Sequence, residues 1–507
     1  MNLDTALSIA SGGLANINRQ LDLVSQNVAN ASTPGYAREV AAQQSVTADG
    51  SGIGVRTLPA GRQTDDLLQT SLLTQNATVA GLTTRQTALQ ALDQLQGTPG
   101  QGNDLASLLG KLQDSFSSLA GSPDSQASQQ QTVLAAQTLA HSVNTLANGY
   151  ATQRQGAQDA ILRDTATANA TLATIGDLSN QIVTLKAGGQ STADLENQRD
   201  AAITTLSKLI DVKSLTQANG DTLLLTAGGL SLPIHGSANP LSISSATIGA
   251  SAYYPGGGVP GLTLNGVDIT PQVTGGQIGA NLALRDATLP TDQAELDEFA
   301  QNLAGRFDSQ GLRLFTDPTG AVPGPGVPVQ AAYLGFSNIV QVNPTVTASP
   351  ALLRDGTHII AGSPTGASAF TPNPAGGPAG FATMIARVLD FTFGAEAQSG
   401  VAQAPSNTAG LGPLGSLAAP YAPPATLAGI ATALVASQAQ DSTTTTTQLG
   451  TEQAVQTTLA GKLSAETGVS IDTEMSHMIQ LQNAYGANAK VISAAQAMWT
   501  QLLQSIP

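Results

Sequence analysis

IDTEMSHMIQLQNAYGANAKVISAAQAMWTQLLQSIP, residues 471–507, carries its apolar side chains at alternating steps of four and three. Ile471, Met475, Met478, Tyr485, Ala489, Ile492, Trp499, Leu503 and Ile506 keep the rhythm, with Gln482 and Gln496 interrupting it. This is the heptad signature of a coiled-coil seam. At about 1.5 Å per residue such a helix runs roughly 50 Å, and a single apolar stripe of that length needs a partner. A matching stripe lies at the other end of the chain, where Leu3, Leu7, Ala10, Leu14, Ile17, Leu21, Val24 and Val28 repeat the spacing without a break. Two unrelated amphipathic helices on one core would differ only through the drift between periods of 3.5 and 3.6. The matched stripes favour paired terminal helices.

The 507 residues can bury a large core and exceed what one core usually holds. With 19 basic against 34 acidic residues the formal charge is −15, and there is no basic patch, which argues against nucleic acid or an anionic membrane as partner. Only 10% of residues are charged, so the surface is largely neutral and polar and suits packing against copies or neighbours. The absence of cysteine excludes disulfides, thiol catalysis and Cys-ligated metals. The opening MNLDTALSIASGG has no basic segment and no continuous apolar run, so no cleavable signal peptide is expected. The most apolar run, 426–439, is too short to span a bilayer.

Along the chain, the first helix should stop near Ala31, since Pro34 disfavours helix at Thr33 and Pro34-Gly35 suits the centre of a turn. Gly52 to Pro59 reads as a short strand or connector. Helical spacing resumes over 62–95, 104–119 and 125–186, the last a long hairpin or rod. Residues 211–274 switch to strand chemistry, residues 311–373 are rich in Pro and Gly, and helix returns over 426–468. The expected fold is mainly α with an inserted β domain: paired long terminal helices, a discontinuous helical bundle and a small β module. The expected boundaries are 1–40 plus 465–507 for the terminal coiled coil, 41–210 plus 275–464 for the bundle, and 211–274 for the β domain.

Two segments at opposite ends carry a resemblance. NVANASTPGYAR, residues 27–38, resembles the signature of the axial proteins of the bacterial flagellum, and residues 470–503, with QNAY, ANAKVI and a final aromatic, resemble their closing segment. Within that group, DLENQRDAAITTLSKLIDV (194–212) is similar to the DL-x-x-QRD and LS-x-LI-x-V segment of the hook-associated proteins of the first hook–filament junction. GGQIGANLALRDATLPTDQAELDEFAQNLAGRFDSQG (275–311) and VQVNPTVTASPALLRDG (340–356) are similar to the same family. The resemblance implies a structural subunit exported unfolded without a cleaved signal and aided by an export chaperone. It also implies self-association in about eleven protofilaments, between hook protein and the second junction protein. Assembly would rest on Leu3, Leu7, Leu14, Ile17, Leu21, Val24, Asn27, Val28, Asn30, Pro34, Gly35 and Tyr36, with Ile471, Met475, Met478, Tyr485, Ala489, Ile492, Trp499 and Leu503 at the other end. A hook or distal-rod subunit, or an adhesin or enzyme displayed by the β module, are the other readings.

No motif for catalysis, cofactor or metal emerges. Lys111 and Lys462 follow glycines, but Leu112 and Leu463 stand where a phosphate loop needs Ser or Thr. His141, His235, His358 and His477 are scattered without metal-ligand spacing. The adjacent pairs Arg199-Asp200 and Arg285-Asp286 should not face each other on a helix, so each is expected to make bundle-surface ion pairs with other residues.

Overall fold

The computed structural model describes residues 3–48, 51–97, 100–236 and 239–504. It is mainly helical, with small antiparallel strand groups. The long elements are helices α1 (Leu3–Ala29), α2 (Asp66–Gln96), α3 (Leu105–Gly121), α4 (Gln126–Ala187), α5 (Ala193–Leu209), α6 (Gly276–Ala283) and α7 (Leu289–Ser309), then the helix Leu427–Thr467 and the closing helix Ile471–Gln504. The stretch that reads as hairpin or rod is thus one rod of 62 residues. The chain divides into two compact units: residues 1–80, 166–241 and 451–507, and residues 81–165 and 242–450.

In the first unit α1 packs antiparallel against the closing helix, with Ile17, Val24 and Leu481 at the centre of their contact and Leu21, Val28, Met478 and Ala484 around it. Strands β1 (Glu39–Ala48) and β2 (Ser51–Arg62) form an antiparallel hairpin, of which the sequence suggests only the second strand. The reason is physical: residues 42–47 are exposed on both faces, so no alternation of apolar and polar residues marks the first strand. Strands β3 (Val212–Thr216), β4 (Thr222–Thr226) and β5 (Ser231–Leu232) form a meander in which Val212, Leu224 and Leu232 point inward. Within this unit Gly176 of α4 meets the carbonyl of Ile234 so closely that a Cβ would lie 1.9 Å from it, which fixes glycine there.

In the second unit one core joins α3, the first part of α4 and α7. Phe116, Phe307, Phe315 and Phe393 meet with ring centroids 5.5–6.2 Å apart in tilted and edge-to-face geometry. Asp104 caps α3, accepting from the Ser107 N–H at 3.0 Å. The Pro/Gly-rich stretches are ordered by buried polar side chains of α7. Asp297 accepts from the N–H groups of Gly335 and Ser337 at 2.7 and 3.0 Å. Glu298 accepts from the Tyr333 hydroxyl at 2.6 Å and the Asn407 N–H at 2.8 Å. Arg306 donates to the carbonyls of Ala425 and Ala404.

The expectation for Arg285 and Asp286 is corrected. Arg285 is fully buried rather than on a bundle surface, and it forks onto its own neighbour, Nε and Nη2 donating to the Asp286 carboxylate at 2.8 and 2.7 Å. Residues Leu284–Thr288 form a π turn, and that local widening departs from the α-helical spacing on which the expectation rested.

Burial makes this unit sensitive to pH. It pushes Glu295 up to about 8, helped by the charge of Asp292, and Asp297 up to about 6 against the hydrogen bonds from Ser337, Gly335 and Gln293. Both groups hold protons in the folded state at pH values where the unfolded chain, with ordinary carboxyls, has lost them. Folding stability therefore falls as pH rises from about 4 to about 8. Urea unfolding should show a midpoint higher at pH 5.5 than at pH 8.5, by roughly 1 kcal/mol or more in free energy. Glu295→Gln should flatten that slope; a slope of opposite sign would refute the assignment.

Candidate assembly interface

The terminal pair is built as the heptads require, but the closing helix is rotated from the expected register. Along α1, Ala10, Ile17 and Val24 are buried and Leu14, Leu21 and Val28 half-buried, as the stripe predicts, while Leu7 is exposed; the Leu3 side chain and Ile506 lie outside the described residues. On the closing helix the buried positions are Glu474, Leu481 and Ala495, with Met478, Asn488, Ala489 and Ile492 half-buried. Ile471, Met475, Tyr485, Trp499 and Leu503 are instead exposed, 42–57% each. The buried row 474, 481, 488 and 495 also repeats every seven residues. Its mixture of Glu, Leu, Asn and Ala hides it from a search for apolar side chains. The more apolar row faces outward, beside exposed Ile479, Val491 and Met498.

Where α1 ends, the signature segment folds into a bracket. Asn27 is 1% exposed; its Nδ2 donates to the Glu39 carbonyl at 2.9 Å and its Oδ1 accepts from the Glu39 N–H at 3.0 Å, tying the helix to the start of β1. The Tyr36 hydroxyl donates to the same Oδ1 at 3.3 Å. Asn30 donates to the Gln26 carbonyl and accepts from the Thr33 hydroxyl. Pro34 and Gly35 occupy the middle of a turn closed by Tyr36 N–H to Thr33 carbonyl at 3.2 Å, with Gly35 at φ +77°. Gly35→Ala puts a Cβ into open space, so its cost is backbone strain alone, about 1–2 kcal/mol. Thermal unfolding that shows no loss would refute the turn.

Arg38 carries the bracket to the closing helix. Its Nε donates to Glu474 at 2.5 Å and its N–H to the Thr467 carbonyl at 2.7 Å. Asn197, from the QRD segment, exchanges hydrogen bonds with the backbone of Ala37, accepting from its N–H and donating to its carbonyl, both at 3.2 Å. Arg62, at the end of β2, donates to Glu196 at 3.0 Å, Asp200 at 2.6 Å and Asn197 at 3.2 Å. Burial lowers the Arg62 basicity, but Asp200 and Glu196 outweigh it and keep the guanidinium firmly charged. Burial, then the charge of Asp194, raises Glu39. Asp200 thus pairs with a residue other than its neighbour, as expected, while Arg199 is buried and donates to the Gly220 carbonyl at 2.7 Å. The segments 27–38 and 194–212 therefore meet at one node, which neither reveals alone.

Chemically this arrangement holds helices and strands together and offers an apolar face. Among the described residues no group of three or more His, Asp or Glu could hold a metal, and no helix is long and apolar enough to cross a membrane.

Comparison with known proteins gives several matches along the chain. Residues 89–320 match the family model of the flagellar hook-associated protein FlgK helical domain. Residues 7–36 match that of the flagella basal body rod protein, and 464–505 that of the flagellar basal body rod FlgEFG protein C-terminal. Flagellar hook-associated protein 1 of Salmonella typhimurium is 26% identical over 333 residues, 61% of this chain and 56% of that protein. That of Bacillus subtilis is 25% identical over 249 residues, 46% of this chain and 48% of that protein. The chain thus aligns with about half the length of these relatives. The structure of the flagellar hook junction protein FlgK from Burkholderia pseudomallei is similar at a TM-score of 0.40 and 23% identity, covering 50% of this chain and 46% of that one.

Proposed function

We infer, from its similarity to flagellar hook-associated protein 1 and to the FlgK helical domain, that this chain is a structural subunit of the bacterial flagellum at the junction between hook and filament. The observation that carries this reading is the terminal helix pair, whose closing helix leaves Ile471, Met475, Tyr485, Trp499 and Leu503 exposed in one chain. An apolar row of that length in water calls for neighbouring subunits to cover it. Beside it the residues of the bracket, Asn27, Asn30, Pro34, Gly35 and Tyr36, set the angle at which the pair leaves the hairpin.

On this reading the partners are further copies of the chain, about eleven around the axis, with hook protein on one side and the second junction protein on the other. An export chaperone would accompany it, and it would leave the cell without a cleaved signal. The terminal segments 1–40 and 465–507 would form the assembly domain, 41–210 with 275–464 the bundle, and 211–274 a β insert. No catalytic role is assigned.

Deleting the gene in its native host tests this. Finished hooks, no filaments and flagellin in the medium are expected. Absent hooks would move the protein to the hook or distal rod, and normal filaments would sink the structural reading.

A further inference from the structure

Sulfur is scarce in this chain and unevenly placed. There is no cysteine, and three of the five methionines stand on the 34-residue closing helix. Their burial differs. Met475 is 44% exposed and Met498 53%, whereas Met478 is half-buried against the Ile17, Val24 and Leu481 cluster of the seam. Met384 is fully buried in the core of the second unit, and Met1 lies outside the described residues. At about 100° per residue, Met475 is one step past buried Glu474 and Met498 three steps past buried Ala495, so the two exposed sulfurs flank the buried row on opposite sides.

A thioether is apolar and flexible and fills a contact well; its sulfoxide is polar and chiral. A hydroperoxide carries out that conversion without help from the protein. The sulfur lone pair attacks one peroxide oxygen, the O–O bond breaks, the transferred oxygen gives its proton to the departing one, and water leaves when the oxidant is hydrogen peroxide. Sulfur loses two electrons and the peroxide gains them. Exposure then decides which methionine reacts. With no thiol in the chain, no cysteine competes for the oxidant.

We propose that Met475 and Met498 form an oxidation site on the outward surface of the closing helix, at which hydroperoxides convert the free subunit into one that no longer assembles. Met475 has Ile471 and Ile479 four residues away on either side, and Met498 has Val491 two turns before it, all exposed. These side chains offer a sulfoxide no donor, so covering the surface with another subunit desolvates an unpaired acceptor. The terminal pair itself stays closed, because its seam is made by Ile17, Val24 and Leu481 and shields Met478. Oxidation of the free subunit is independent of the junction role; its effect on assembly rests on that reading.

The test is peptide mass mapping of the full chain after graded exposure to hydrogen peroxide, with thermal unfolding as the check on folding. Met475 and Met498 should each gain one oxygen about tenfold or more faster than Met384 and about threefold or more faster than Met478, with the unfolding temperature unchanged. Met384 or Met478 oxidised as fast as the other two overturns the site, as does a lowered unfolding temperature. The untreated and oxidised chains are then sedimented with hooks isolated from the gene-deletion host. Oxidation should weaken binding about tenfold or more, and a double variant, Met475→Leu with Met498→Leu, should keep its binding after the same treatment. Equal binding by the oxidised chain, or equal loss in the double variant, overturns the effect on assembly. Failure of the untreated chain to bind hooks would instead count against the junction role, and the order in which the methionines react would still decide the oxidation site.

Discussion

Replacing Arg62 with alanine lowers the stability of the first compact unit by about 3–5 kcal/mol. Its side chain is 10% exposed, and it faces Glu196 and Asp200, themselves 20% and 15% exposed, with Asn197 between them. Removing the cation leaves two largely buried carboxylates repelling each other, and the cost of that unpaired charge exceeds the value of the pair itself. The loss should propagate, because Asn197 also holds the backbone of Ala37 and so the bracket. Arg62→Lys keeps the charge but not the fork, and should recover part of the loss. Urea unfolding followed by a probe in residues 1–80 checks this; a change under about 1 kcal/mol would show that the ion pairs are solvated and carry little.

Leu481→Asp separates the terminal helices. Leu481 is 6% exposed between Ile17 and Val24, so the substitution removes a buried apolar side chain and places a carboxylate in an apolar cluster. The expected loss is about 3 kcal/mol or more, enough to release both helices from each other. Limited proteolysis should then cut within 3–29 and 471–504 while residues 81–165 and 242–450 stay intact. In the native host such a variant should fail to support filaments. The control is Met498→Asp, on the exposed face of the same helix, which should leave the pairing of α1 and the closing helix intact and disturb only contacts with other subunits. Equal proteolysis of the two variants would mean that the buried row is not the seam.

Much of this was legible without coordinates, and what was not has identifiable causes. The long helices follow from apolar spacing sustained over many turns, and the turn at Pro34-Gly35 follows from restrictions on proline and freedom of glycine. The pairing of α1 with the closing helix was legible from two matched heptads, but its register was not. On the closing helix two rows repeat every seven residues, and the row that packs inward contains Glu474 and Asn488, held by Arg38 and by its position against Gly13. The first strand of the hairpin was invisible because neither face of residues 42–47 is buried. The node of Arg62, Asn197 and Asp200 could not be read because it joins residues 135 and 138 positions apart, and no local periodicity encodes such a contact. Arg285 and Asp286 misled for the opposite reason: their spacing was read on an α-helix, and the chain makes a π turn there.

The tie between Arg38 and Glu474 closes a loop of 436 positions, and α1 lies against the last helix the chain makes. Order of synthesis then becomes order of folding. Loop closure of that span is slow, and until residues 471–504 are present α1 has the β1–β2 hairpin beside it but lacks its helical partner. The second compact unit, whose final segment ends at Gly450, can complete itself earlier. A chain interrupted before residue 471 should therefore show a folded second unit and a first helix without its helical partner, so premature termination converts α1 into a sticky, protease-sensitive segment.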